Sequence, residues 1–428
     1  MSNVLGIAAI IMLLLLFLKV PVYIAVLGGA MVYFVANPGI NTAIFAQQAI
    51  RGTESISLMA IPFFVCSGVV MNYTGVTKRI MNFCEKITGR LPGGLAQVNI
   101  LLSTIMGGLS GSNIADAAME SKIMVPPMVE KGFSLEFSSV VTAASSMITP
   151  LIPPGIAMIL YGSIANVSIG KLFVSGIGVG LLLCITMMIL TGYISAKRGY
   201  TTLTSEKMTA KKFWEAFKPA FLPLLLPIII IGGIRVGIFT ATEAGAVSII
   251  YALLLGIIFR ELRIKDLAKC LKDTVGTTAA IMLIVAAASV FSWTLTNERI
   301  PQMLTQWMIA TLHNKYIFLL VVNIFLLIIG MFIEGNASMI ILVPLLAPIA
   351  KELGINEIQF AMIYIFNNAI GALSPPMGTL MFVTCSITKC KTAAFIKEAV
   401  PYYILLLVNL LLLTWVEPFT TFLVNLIY

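Results

Sequence analysis

Charge is scarce in this sequence. Only 27 Lys and Arg and 18 Asp and Glu occur in 428 residues, or 11%, where a soluble domain carries about 25%. Together with an apolar share of 59%, that scarcity excludes a soluble enzyme, a disordered chain and a secreted disulfide scaffold. Histidine is nearly absent. His313, beside Asn314 and Lys315, reads as a loop residue, and without a second His or a Cys partner it makes no metal site. The six cysteines form no C-x-x-C pair and mostly sit in apolar surroundings, as buried inert thiols do. No Ser/His/Asp set and no phosphate-binding loop is found, and no low-complexity linker divides the chain. Residues 1–428 therefore read as a single membrane unit.

What the chain has instead is long apolar runs, as in 7–17, 224–231 and 402–413, and a mean hydropathy of +1.02. A spanning helix needs about 20 apolar residues, which allows up to about a dozen crossings. The runs are continuous rather than alternating, which argues against an outer-membrane barrel. The first run starts almost at Met1 and ends at Lys19, with no basic n-region and no small-x-small cleavage site. It reads as a retained helix rather than a signal peptide.

The net charge of +9 comes from clusters in loops: Lys78 to Arg90, Lys197 to Lys218 and Arg260 to Lys272. Such an excess fits cytoplasmic loops beside anionic lipid, not nucleic acid. Two apolar stretches, about 219–237 and 240–259, return the chain to the same side between the second and third clusters. Within 201–219, Lys207, Lys211, Lys212 and Lys218 alternate with Phe213, Trp214 and Phe217. That pattern suits a helix lying in the headgroup layer, or a plain cytoplasmic connector. Thr240-Ala-Thr-Glu243 is a T-x-x-E capping box at the start of the next run.

The informative feature is an internal repeat. Ser145-Ser-Met-Ile-Thr-Pro-Leu-Ile-Pro-Pro-Gly155 aligns with Asn367-Asn-Ala-Ile-Gly-Ala-Leu-Ser-Pro-Pro-Met377, with Pro153-Pro154 falling on Pro375-Pro376. Upstream, Gly107 aligns with Gly330 and Asn113 with Asn336, in the same order and at nearly the same offset. The repeat cores are 93–200 and 316–400. Tandem prolines remove amide donors and turn the preceding residue away from helix. Carbonyls upstream of Pro153 and Pro375 then lack intrahelical partners, which is tolerated at membrane depth only in a protein interior or along a cavity. Proline kinks in ordinary packed helices would account for one such pair. Two pairs, each preceded by a polar, Gly-rich turn, point to a transporter's binding site.

The turns (Ser110, Gly111, Ser112, Asn113; Glu334, Gly335, Asn336, Ser338) permit re-entrant helical hairpins, whose exposed tip amides suit an anion. Oxygen ligands without clustered carboxylates favour Na⁺ over a divalent ion. Glu334 is the stronger functional candidate among the few intramembrane charges, because it sits inside a turn. Asp116, Glu120 and Lys122 are spaced to pair with one another. Arg235, Glu243, Glu298 and Arg299 flank apolar runs and snorkel.

These stretches resemble the large membrane subunit of TRAP (tripartite ATP-independent periplasmic) transporters, over nearly the whole length. The matching segments are Leu58-Met-Ala-Ile-Pro-Phe-Phe64, Ser110-Gly-Ser112, Ile152-Pro-Pro154, Phe239-Thr-Ala-Thr-Glu243 and Ser374-Pro-Pro376. The resemblance implies an all-α polytopic fold with inverted repeats, and an elevator-type transport domain moving against a scaffold domain. It implies two Na⁺ sites. One would be held near Ser110, Ser112, Thr149, Ile152 and Pro153, and the other near Gly330, Gly371, Ser374 and Met377. Substrate would lie near Ser112, Asn113, Gly155, Glu334 and Asn336. Relatives commonly carry Ser at the position of Gly155 and Asp at that of Glu334.

The expected activity is Na⁺-coupled import, across the bacterial inner membrane, of a small organic acid such as sialic acid, another sugar acid or a dicarboxylate. The expected partners are a soluble periplasmic binding protein and a small four-helix membrane subunit. The first hairpin begins near residue 107, which leaves no room for that subunit to be fused ahead of it. A self-sufficient Na⁺/carboxylate symporter is the nearest alternative. A membrane-embedded enzyme would need a convergent nucleophile or metal set, which the sequence does not supply. A channel would show conductance beyond a carrier's turnover.

Overall fold

A computed structural model of the chain describes residues 3–18, 20–204, 209–303, 306 and 314–428. Lys19, Lys207, His313 and most of the 303–312 run lie outside the described residues. Within them every regular element is helical. The first half runs α1 (Asn3–Phe17), α2 (Val22–Ala36), α3 (Ala43–Thr53), α4 (Ala60–Asn72), α5 (Val76–Thr88), α6 (Gly94–Ser110), α7 (Asn113–Ile123), α8 (Val125–Glu130) and α9 (Leu135–Ser145). A 3₁₀ stretch, Ser146–Leu151, leads to α10 (Ile156–Ala165) and the long α11 (Ile169–Arg198). Then follow α12 (Ala210–Arg235), α13 (Ala241–Ile258) and α14 (Ile264–Asn297). The second repeat holds α15 (Lys315–Phe332), α16 (Gly335–Glu352), α17 (Glu357–Leu373) and α18 (Thr379–Thr388), before α19 (Thr392–Trp415) and α20 (Pro418–Ile427).

Among the described residues, six helices are long and apolar enough to cross a membrane: α11, α12, α13, α14, α15 and α19. Two bent pairs raise the number to eight if each is counted as one span, with the chain turning 55° between α3 and α4 and 41° between α9 and α10. The outward faces are apolar. Ile185, Ile189 and Tyr193 recur every four residues on α11 and are 56–68% exposed, a stripe suited to hydrocarbon rather than water. The chain is thus a multi-pass membrane protein.

The basic loops converge at one end. Arg79 of α5 pairs with Glu261 at 3.2 Å and lies over the Phe259 ring. Phe83 of α5 meets Phe213 and Phe217 of α12. The crossings α12 and α13 therefore do return the chain to its starting side. Residues 210–219 form the first turns of α12, not a separate helix, and the Phe213/Phe217 stripe is used in packing on α5.

The two repeats build the centre. Gly111 in the left-handed region (φ +62°) ends α6, and extended Ser112 starts α7 with its hydroxyl accepting from the Ala115 amide. Ser103 Oγ, eight residues before Gly111, lies within hydrogen-bond distance of Glu120, eight residues after Ser112, at 2.6 Å. Contact at equal distances from the turn makes α6–α7 a hairpin. In the second repeat, extended Ile333 and Glu334 separate α15 from α16. Each hairpin's first arm packs on the helix before its own break: α6 on α9 and the 3₁₀ stretch, α15 on α17. Each second arm packs on the half-helix beyond the other repeat's break: α7 on α18, α16 on α10. The repeats are interlocked. A separate apolar cluster joins α1 and α2 to the C-terminal half of α14 and meets the second hairpin at Ile341, Leu342 and Leu345.

The capping box at α13 forms as expected. The Thr240 hydroxyl accepts from the Glu243 amide at 3.3 Å, and the Glu243 carboxylate accepts from the Thr240 amide at 2.7 Å. Thr240→Ala should therefore destabilise the chain by about 1 kcal/mol, seen as a lower apparent melting temperature, while Thr240→Ser retains it. An unchanged melting temperature in the alanine variant would mean that the box does not support the helix.

Candidate functional site

The two breaks are built alike. Both Pro-Pro bonds are cis. The carbonyls of Ile152, Pro153 and Pro154, and those of Ser374, Pro375 and Pro376, accept no hydrogen bond among the described residues. Pro153, Pro154 and Ser374 are buried, Ile152 and Pro375 are half-buried and Pro376 is exposed; a carbonyl left buried without a partner costs about 1–3 kcal/mol.

Glycine lets the hairpins approach these carbonyls. A Cβ on Gly107 would come within 2.8 Å of Thr149 Cα, and one on Gly371 within 2.5 Å of Gly330 Cα. Gly107 and Gly330 correspond in the repeat, as do Thr149 and Gly371. The backbone contacts are therefore the same contact made twice. Further along α6, a Cβ on Gly108 would lie 3.2 Å from the Pro153 carbonyl, and one on Gly111 2.7 Å from that of Pro154. Ser110, Ser112, Thr149, Ile152 and Pro153 thus meet where α6 ends against the first break. In the second half, the Ser374 amide donates to the Gly371 carbonyl at 3.0 Å. The turn at Gly378, next to Met377, folds onto the Ala372 and Ser374 carbonyls. Gly330, Gly371, Ser374 and Met377 form the matching group.

The side chains add two points. The Ser374 hydroxyl donates back to the Ile370 carbonyl at 2.8 Å. The Thr149 hydroxyl donates to Asp116 at 2.8 Å. Asp116, Glu120 and Lys122 do not pair with one another as their spacing suggests. Both carboxylates are buried and bind hydroxyls of other helices, while Lys122 is exposed and makes no ion pair among the described residues. Helical spacing puts Asp116 and Glu120 on one face, but that face is turned inward.

Between the hairpin turns lies a cavity of about 80 Å³. Ser112, Asn113, Glu334 and Asn336 line it, together with Pro150 and Thr379 from the two broken helices. Gly155 does not line it. It is buried, and a Cβ there would fall 2.4 Å from the Pro150 carbonyl, so any side chain at this position needs a local shift of the backbone. Glu334 has a structural role as well, because its carboxylate accepts from the Ala337 amide at 3.1 Å and caps α16. The corresponding cap on α7, from Ser112, is long at 3.5 Å.

Asn368 was missed by sequence reasoning. Its amide donates to the Gly335 carbonyl and its oxygen accepts from Ser338, both at 3.1 Å, and Tyr364 closes the network. The signal was Asn367-Asn368 in an otherwise apolar run. No group of three or more His, Cys, Asp or Glu that could hold a metal occurs among the described residues.

This arrangement of paired hairpins and broken helices has close counterparts. The model of the tripartite ATP-independent periplasmic transporter, DctM component, matches residues 9–419. The chain belongs to the DctM family. The sialic acid TRAP transporter large permease protein SiaM of Vibrio cholerae is 39% identical, over 95% of both chains. The C4-dicarboxylate TRAP transporter large permease protein DctM of Pseudomonas aeruginosa is 34% identical, over 93% of both. Among solved structures, the YdaH transporter of Alcanivorax borkumensis is similar in fold, with a TM-score of 0.58 and 15% identity, over 85% of this chain and 84% of that one. These relatives are named as transporter proteins.

The backbone contact at Gly371 separates two variants. Gly371→Val forces a side chain into Gly330 and should cost about 1–3 kcal/mol or more by overpacking. Ser374→Ala removes one hydroxyl bond within a helix turn and should cost about 1 kcal/mol or less. Equal melting temperatures for both variants and the parent chain would mean that the close approach is not required.

Proposed function

We propose that this DctM-family chain is the transport-catalysing subunit of a three-part importer of small organic acids, driven by Na⁺ across the bacterial inner membrane. The observation that carries the reading is the duplicated break. Two sets of carbonyls without hydrogen-bond partners, each backed by a glycine contact, flank one cavity between two hairpin turns. Such carbonyls need a partner, and a monovalent cation satisfies several at once without the carboxylate cluster that a divalent ion demands. Ser110, Ser112, Thr149, Ile152 and Pro153 would hold one Na⁺. Gly330, Gly371, Ser374 and Met377 would hold the other. The bound cations supply positive charge beside a cavity that no Lys or Arg lines.

The substrate acid would sit between the turns. The start of α16 is already capped by a carboxylate, so the better seat for the substrate carboxylate is the start of α7, where the Ser112 cap is weak. Glu334 then faces the far end of the molecule and suits a hydroxyl donor, which favours a hydroxy acid such as a sugar acid over a dicarboxylate. Carrying the acid across the membrane requires this cavity to open to each side in turn, and an elevator motion of the interlocked repeats against the α1–α4 and α12–α14 frame would do that. The family's tripartite character supports a soluble binding protein and a small membrane subunit as partners.

Thermal stability of the purified chain tests the ion sites. Titrated against KCl and choline chloride at matched ionic strength, NaCl alone should raise the melting temperature, with about 1.4 kcal/mol gained per tenfold increase above Kd at each site. In vesicles holding all three components, uptake should stop when K⁺ replaces Na⁺. Uptake that continues unchanged at a constant proton gradient would overturn the coupling.

A further inference from the structure

We propose that Glu120 carries a bound proton, which makes the inner face of the first hairpin a proton-binding site distinct from both carbonyl groups described above. The inference does not depend on the Na⁺ reading.

Counting protons leads to it. Glu120 lies on α7 with no solvent exposure. One carboxyl oxygen, Oε2, is 2.6 Å from Ser103 Oγ, and the other, Oε1, has no partner among the described residues. Ser103 Oγ also lies 2.8 Å from Ser145 Oγ and 3.1 Å from the Asn99 carbonyl. The Ser145 hydroxyl is itself 3.1 Å from the Thr142 carbonyl. A hydroxyl has one proton to give. If Glu120 is ionised, Ser103 must turn its proton to the carboxylate. Ser145 can then fill its 2.8 Å contact only by turning its own proton to Ser103 and giving up the Thr142 carbonyl, and a full charge stays buried with one oxygen unmet. If Glu120 is protonated, its O–H donates to Ser103 at a distance normal for such bonds. Ser103 then donates onward to Ser145 at 2.8 Å, Ser145 donates to the Thr142 carbonyl, and no buried charge remains.

No cation is placed to change that outcome. α7 packs against α6, α8, α9, α18 and the 3₁₀ stretch. The titratable groups these elements bring are Glu130 of α8, Glu136 of α9 and Cys385 of α18, while α6 and the 3₁₀ stretch bring none. Cys84 approaches from α5. On α7 itself, Asp116 is acidic and Lys122 is exposed. A buried carboxylate facing only neutral and acidic groups takes up a proton rather than stay charged. Packing does not require an acid at this position. At the offset of 223 that relates the hairpins, Glu120 corresponds to Val343 and Asp116 to Met339, both buried and apolar. The second hairpin forms without either carboxylate.

Infrared spectroscopy of the full purified chain tests this directly. The sample is held at about pH 8, where an ordinary glutamate with a pKa near 4.3 is ionised. The parent chain should show a protonated carboxyl C=O band. Glu120→Gln, nearly isosteric and able to donate to Ser103, should lose it. Ser103→Ala, which removes the acceptor of the proton, should keep the band at a shifted frequency. The parent and Ser103→Ala spectra decide the question even where Glu120→Gln fails to fold. The proposal is overturned if the parent has no such band, if Ser103→Ala leaves its frequency unmoved, or if Glu120→Gln instead removes a carboxylate band.

Discussion

A backbone carbonyl inside a membrane has to find a donor or a cation, and everything distinctive in this chain follows from two places where the helix cannot supply one. At Pro153-Pro154 and Pro375-Pro376 the amides are gone and the helix turns aside. The surroundings answer in the same way twice. A hairpin is brought up to each break, its first arm shaved to glycine at Gly107, Gly108, Gly111 and Gly330 so that main chain meets main chain. Side chains at those positions would hold the arm away from the break. Close approach and missing hydrogen bonds are thus two sides of one construction.

The repeat does not impose full symmetry. The first hairpin carries buried carboxylates on its second arm, and the second hairpin carries one at its tip. Glu334 caps α16 with its own charge, whereas α7 has a long serine cap, so the two turns facing the cavity differ electrostatically while their backbones correspond. A symmetric scaffold with unlike ends can hold an asymmetric molecule in one orientation.

Much of this was legible in the sequence because it is local. The proline pairs, the glycines before them, the polar turns and the capping box at Thr240 each state their conformational demand within a few residues. The DctM family match over 9–419 bears out the resemblance those residues carried. What was not legible depends on contacts between distant segments. Spacing shows that Asp116, Glu120 and Lys122 share part of a helix, but not that the carboxylates turn to Thr149 and Ser103 while the lysine points out. The Phe213/Phe217 stripe looks the same whether it meets lipid or, as here, Phe83. Gly155 sits in a substrate-like position along the chain, yet the fold turns it toward the Pro150 carbonyl and away from the cavity. Asn368 was visible as a polar residue in an apolar run, but its partners at Gly335 and Ser338 are 30 or more residues away.

The exchange of second arms between the repeats has a consequence for biogenesis. When the first hairpin and its broken helix have left the ribosome, the half-helix that will cover α7 lies more than 250 residues downstream, at Thr379–Thr388. The nascent first half therefore enters the bilayer with its polar inner face uncovered and must be sheltered until the second half arrives.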